Sequence, residues 1–245
     1  MAPSRLRRSL AAFAGGVIGG YWLLFSSYSQ LITRFPYHAR TPEKVIALTF
    51  DDGPNEPFTT EIADFLADVG VHATFFQVGR CVARHPEVSA RLVRDGHVIG
   101  NHSYSHQMHN CVGRHRQERE TRSTQRLIAS ATGRTPALYR PPWLLRTPTL
   151  PGVLRRHRLT AVSGEFCHAF EVLQPSPQRI ARRALAKARP GAILIFHDGF
   201  DGRGGDRAHT VAAVKIVVPK LLGAGFRFVT VDALLGFPAY AQAPA

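Results

Sequence analysis

From Val45 onward, short apolar β-rich runs alternate with segments whose apolar residues recur every three to four positions. The runs at 45–50, 73–78, 97–101, 137–140, 159–163, 192–197 and 226–231 predict seven strands. Between them, Ile62, Phe65, Leu66 and Val69, or Val214, Val217, Val218, Leu221 and Leu222, trace one face of a helix. Gly96, Gly133 and Gly223 supply the stops. Strand and helix alternating in this way predict an α/β fold with a parallel sheet and right-handed crossovers, which seven or eight units close most economically into a barrel. An open doubly wound sheet is the alternative. No G-x-G-x-x-G follows the first strand, which removes the usual dinucleotide site.

The N-terminal pattern is different. Residues 9–33 hold no ionisable side chain except Tyr21 and Tyr28, and residues 10–25 are wholly apolar or glycine. A hydrocarbon core about 30 Å thick needs roughly 20 helical residues, so the stretch predicts a transmembrane signal anchor. Tyr21, Trp22 and Tyr28 are placed as interfacial aromatics, and Arg5, Arg7 and Arg8 keep the N-terminus inside and the bulk of the chain outside the cell membrane. A cleaved signal peptide, ending near Ser27 or Ser29, with a secreted product is the alternative. The expected layout is a basic segment 1–8, an anchor 9–33, a polar linker 34–43, one catalytic-size domain 44–238 and a loose tail 239–245.

At 245 residues and 44% hydrophobic composition the chain is long enough for one sizeable core. Its net charge of +14 is typical of nucleic-acid binders, but Arg supplies nearly all of the cations and no basic stripe interleaved with base-stacking aromatics is present. The charge instead fits anionic envelope polymers or lipid head groups, and no nucleic-acid partner is expected. Cys81, Cys111 and Cys167 have no C-x-x-C spacing, so no thiolate zinc site is read. A Cys81–Cys111 disulfide and three free thiols both remain open.

Four of the seven predicted strands end in unusual polar groups: Thr49 to Pro54 (TFDDGP), Asn101 to His106 (NHSYSH), Arg140 to Trp143 (RPPW) and His197 to Gly199 (HDG). Barrel active sites gather at this end of the strands. His102 and His106, spaced i, i+4, present both rings on one face of a helical turn, and Asp52 completes a three-ligand set with an open position. A carboxylate bound to a dication is a poor proton acceptor, so the adjacent Asp51 is assigned as the general base. His197 is assigned as general acid to a leaving amine, and Arg140 as the cation that orients Asp51. One Asp and two His accept Zn²⁺, Co²⁺, Ni²⁺ or Mn²⁺, with Zn²⁺ preferred here.

These motifs, in this order over residues 44–235, resemble the polysaccharide deacetylases, also called NodB homology domains or carbohydrate esterase family 4. The resemblance implies a distorted (β/α)7 barrel and metal-dependent hydrolysis of N-acetyl or O-acetyl groups on a cell-envelope glycan such as peptidoglycan. It implies the same roles for Asp51, Asp52, His102, His106, Arg140 and His197. It adds Trp143, through its backbone N–H, as an oxyanion donor and Leu194 as a wall of the acetyl pocket. Trp143 and the loop 200–206 also border the rim where sugar would lie. One departure stands out. The Asp-rich motif that the family carries after strand five is here SGEFCHAFE from Ser163 to Glu171, so either Glu165 or Glu171 substitutes for the missing carboxylate or His197 lacks its usual orienting partner. The departure leaves a catalytically weak glycan-binding module as an alternative, and the anchor leaves a lipid-linked sugar as an alternative substrate.

Overall fold

The computed structural model describes residues 15–168 and 170–241. Residues 15–25 form helix α1. The domain then runs β1 (Val45–Asp51), α2 (Phe58–Asp68), β2 (Thr74–Gln77), α3 (Gly79–Arg84), α4 (Pro86–Arg94), β3 (Val98–Asn101), α5 (Arg114–Thr132), β4 (Leu138–Tyr139), α6 (Leu150–His157), β5 (Thr160–Ala161), β6 (Glu165–Phe166), α7 (Pro177–Lys187), β7 (Ile193–His197), α8 (Ala208–Gly223), β8 (Arg227–Phe228) and α9 (Val231–Leu235). All strand pairings are parallel, in the order β5-β4-β3-β2-β1-β7-β6, with β8 on the lower part of β1. β5 and β6 are its two ends, so the barrel is open between them.

Among the described residues, eight strands replace the expected seven. The extra one arises because the segment that follows the run 159–163 bends at Gly164. A Cβ on Gly164 would stand 2.8 Å from Ile195 Cγ1 and 2.9 Å from the Ile193 carbonyl oxygen. The bare backbone therefore lets the chain press against β7 and restart as β6.

β1 lies between β2 and β7, and all seven of its residues are buried, as expected for a parallel strand covered on both faces. Alternation sorts its side chains. Ile46, Leu48 and Phe50 join Phe75, Leu194 and Phe196 in the large core shared with the helices, whereas Ala47 joins Phe76, Leu138, Val162 and Ile193 in a second, smaller core. Cys81, Cys111 and Cys167 are buried free thiols, so no Cys81–Cys111 disulfide forms.

The expected membrane span 9–33 is not one helix. Residues 1–14 lie outside the described ones, and among the described residues no helix is long and apolar enough to cross a membrane. α1 stops at residue 25 because the barrel takes over its last carbonyls. Arg146 N–H donates to Leu24 O at 2.9 Å, Arg146 Nη1 to Ser26 O at 2.7 Å, and Ser163 Oγ to Ser27 O at 3.0 Å. The segment that follows is a strap on the domain rather than a free linker. Ser29 and Phe35 are buried, Ser163 N–H donates to Pro36 O, and Ala39 N–H to Gly191 O. Residues 239–241, expected to be loose, pair with 135–137, and the Tyr240 hydroxyl accepts the Ile99 N–H. Residues 242–245 of that tail lie outside the described residues.

Candidate active site

The pairing of β1 with β7 sets Asp51 opposite His197, so both side chains leave the sheet at the same level of one rim. Asp51 is held by Arg140, whose Nη1 donates to Asp51 Oδ1 at 2.7 Å and to Thr49 Oγ1 at 2.8 Å, while Nη2 donates to the Ser163 carbonyl at 2.9 Å. The guanidinium is fully buried and lies 4.1 Å above the Phe76 ring. Three hydrogen bonds, one of them to a carboxylate, and a stacking face fix its plane, which fixes the carboxylate in turn.

Asp52 adopts φ 82°, in the left-handed region that costs an L residue strain. The turn is closed by Asp198, which accepts the Gly53 N–H at 3.0 Å and the Thr59 hydroxyl at 2.6 Å. A Cβ on Gly53 would fall 2.0 Å from Asp198 Oδ2, so only glycine fits under that clamp. Burial, opposed by the Thr59 bond and reinforced by the charges of Asp52 and Asp51, pushes the Asp198 carboxyl up to about 7.

His102 and His106 do meet, but not on a helix. The loop between them carries Ser103 at φ 65° and His106 at φ 49°, and Glu120 of α5 fastens it by accepting from Tyr104 N–H, Ser105 N–H and the Ser105 hydroxyl. His102 Nδ1 lies 2.6 Å from the Arg140 carbonyl and His106 Nδ1 2.9 Å from Asp201 Oδ1. Each partner is an acceptor, so each ring carries its proton on Nδ1 and turns Nε2 inward. Those Nε2 atoms lie 3.4 Å and 3.2 Å from Asp52 Oδ1. That oxygen is buried without a hydrogen-bond donor, and the three ligand atoms lie within 4.8 Å of one another. An orphaned carboxylate oxygen facing two imidazole nitrogens fits a divalent cation. Burial of Asp52 disfavours its charge, but the neighbouring His106, His102 and His197 outweigh it and hold the carboxyl far below the usual range.

His197 Nδ1 lies 3.0 Å from Glu171 Oε2, and Phe166 stacks on its ring. Burial opposes the imidazolium, but the hydrogen bond and charge of Glu171, with Asp52 and Asp51 adding, raise its pKa to about 9. Of the two carboxylates the sequence offers for this role, Glu171 fills it. Glu165 instead accepts from Tyr28 and pairs with Arg189.

Trp143 sits at φ 52° in the tight turn after Arg140, its ring 4.4 Å from that of His106. Leu194 is misplaced by the sequence reading. It lies an odd number of residues from His197 on β7, so it points into the core shared with the helices and does not line the cavity. Two features escape that reading. Asp201, in the glycine-rich loop after β7, bonds His106 and also donates its N–H to Asp52 Oδ2 at 3.1 Å. Tyr21 and Phe25 of α1 line the cavity, of about 520 Å³, that holds Asp51, Asp52, His102, His106 and His197. A second carboxylate on the same rim was the only sequence signal for Asp201. For α1 there was none, because an apolar run reads as membrane helix.

Residues 38–162 match the polysaccharide deacetylase family. The chain is 31% identical over 196 residues to a peptidoglycan-N-acetylglucosamine deacetylase of Bacillus cereus, covering 80% of this chain and 90% of that one. It is 33% identical over 190 residues to a chitooligosaccharide deacetylase of Azorhizobium caulinodans, covering 74% and 90%. A crystal structure of a peptidoglycan N-acetylglucosamine deacetylase bound to a hydroxamate-type ligand superposes with a TM-score of 0.75 at 26% identity, covering 84% of this chain and 95% of that one. A CE4-family pseudoenzyme from Bacillus anthracis shares the fold at a TM-score of 0.72 and 22% identity, covering 81% of this chain and 67% of that one. The fold alone therefore does not carry catalysis, and the side chains of the rim must be weighed separately.

Proposed function

Since the chain belongs to the polysaccharide deacetylase family, and is thus a hydrolase of carbon–nitrogen amide bonds, we propose that it removes the acetyl group from N-acetylated sugars of a cell-envelope glycan. The observation that carries this reading is the position of Asp51 and His197 at the same level of one rim, beside the Asp52, His102 and His106 cluster. One carboxylate and one imidazolium there are held by partners of opposite charge, Arg140 and Glu171.

Asp52 Oδ1, His102 Nε2 and His106 Nε2 would hold a divalent cation, Zn²⁺ being the preferred one. When bound, the cation supplies Lewis-acid polarisation of the acetyl carbonyl and makes the attacking water more acidic. Asp51 takes the proton of that water on Oδ2, because Oδ1 is occupied by Arg140. His197 presents Nε2 to the departing amine, since its Nδ1 proton is committed to Glu171. Kept protonated by the hydrogen bond and charge of Glu171, it delivers the proton that the amine needs to leave. The turn at Trp143 supports a backbone donor for the developing oxyanion. The arginines before the apolar N-terminal run support a domain working on the outer side of the membrane.

The test is acetate release from chitooligosaccharides and peptidoglycan after stripping with a chelator and restoring Zn²⁺ or Co²⁺. Metal-restored release supports the reading. Inertness on every acetylated glycan with each metal, together with retained glycan binding, supports the binding-module alternative instead.

A further inference from the structure

Resting on the deacetylase reading, we propose that the acetylated substrate is amphiphilic, a saccharide bearing an aliphatic chain, and that this chain lies along a wall built by Tyr21, Phe25, Met108 and Val172. Apart from His168, Arg207 and the Tyr21 hydroxyl, the ionisable side chains of the cavity are engaged, Asp51 with Arg140 and the rest around Asp52 and Glu171. What remains for the rest of a substrate is mostly aliphatic or aromatic. Met108 and Val172 offer a sugar neither a hydrogen bond nor a flat ring on which to stack. They suit methylene groups. Met108 is 43% exposed, Val172 41% and Tyr21 67%, with Phe170 and Leu173 exposed beside Val172. Single exposed apolar side chains are ordinary, but a contiguous set around a catalytic mouth marks a binding surface.

Helix α1 carries the argument further. All residues from 15 to 25 are apolar or glycine, Val17 and Ile18 are exposed, and the four glycines face open space. A helix that is apolar all round matches hydrocarbon, not water. Its last turn is fastened to the barrel through Leu24 O and Ser26 O on Arg146. The apolar helix and the cavity wall thus form one fixed surface, along which a substrate tethered in hydrocarbon by its own aliphatic chain reaches Asp51 and His197. A free, fully polar polymer would leave this surface uncovered.

The experiment compares methyl and octyl β-N-acetylglucosaminide, below the micellar concentration of the octyl compound, with the zinc-loaded full chain and with Tyr21→Asp and Met108→Glu. Acetate release and calorimetric binding are both measured. Each fully buried methylene is worth up to about fourfold, so kcat/KM for the octyl glycoside is expected to be at least roughly tenfold higher, and the octyl-to-methyl ratio to fall toward one in both variants. Equal kcat/KM on the two glycosides in the wild-type chain overturns the inference and leaves the deacetylase reading standing. No acetate from either glycoside, nor from chitooligosaccharides and peptidoglycan with Zn²⁺ or Co²⁺, with octyl binding that the two variants abolish, overturns the reading and keeps the apolar site. Neither acetate nor binding overturns both.

Discussion

Glu171 Oε2 lies 3.0 Å from His197 Nδ1, and Oε1 of the same carboxylate accepts from the His197 backbone N–H and the Thr210 hydroxyl. A glutamate from a short 3-10 turn thereby supplies the orienting charge expected after strand five, in a chain that has no aspartate there. The Glu171→Gln variant is expected to lose activity by roughly 10²-fold or less, part of what the general acid is worth. Its alkaline pH limb should move to lower pH by about one to three units, the range set by loss of a neighbouring opposite charge. Glu171→Asp should restore part of both. A pH profile of kcat/KM that stays unmoved in Glu171→Gln would show that the pair has no such role.

The same pair makes stability depend on pH. His197 has a folded-state pKa near 9 against 6.5 unperturbed, so its stabilising contribution is complete below about pH 6.5 and is withdrawn as pH rises through 9. In thermal melts of the metal-free protein, the gap in Tm between wild type and Glu171→Gln should be largest near neutral pH and below, and narrow toward pH 9 and above.

Asp201 touches two of the three candidate ligands, His106 through its carboxylate and Asp52 through its N–H. Removing the charge in Asp201→Asn releases the constraint on the His106 ring, and metal affinity should fall about 10- to 100-fold. Competition with a chromogenic chelator reads this directly, without any substrate.

Arg140 is fully buried and bonds Asp51, Thr49 and Ser163 at once. Arg140→Met leaves Asp51 buried and unpaired, which should cost about 3–5 kcal/mol in urea unfolding. Arg140→Lys should recover only part of this, because a point charge cannot hold the same three acceptors in one plane.

Gly164→Ala tests the bend that creates β6. The added Cβ meets Ile195 and the Ile193 carbonyl oxygen at under 3 Å, and a strand backbone cannot yield as a flexible side chain can. A loss of about 1–3 kcal/mol is expected, read as a lower Tm.

β1 and β7 were legible because they are continuous apolar runs ending in charged residues, and their register alone places Asp51 beside His197. Two-residue strands such as β6 carry too few positions to show a period. The histidine spacing points to two rings that do meet, but left-handed backbone at Ser103 and His106, not a helical turn, brings them together. Strand parity sets Leu194 on the opposite face of β7 from His197. Neither α1 docking on the barrel nor Glu171 reaching back to β7 has a periodic signature. Both depend on irregular segments whose path is set by tertiary hydrogen bonds.

The central claim is that Asp51 does its work beside the Asp52, His102 and His106 cluster without being one of its ligands. Metal content and acetate release of purified Asp51→Asn, measured on the same sample after Zn²⁺ reconstitution, test it most directly. The account expects one zinc per chain, as in the wild type, with acetate release lowered about 10²- to 10⁴-fold. Wild-type activity in this variant, or loss of the zinc together with the activity, would contradict it.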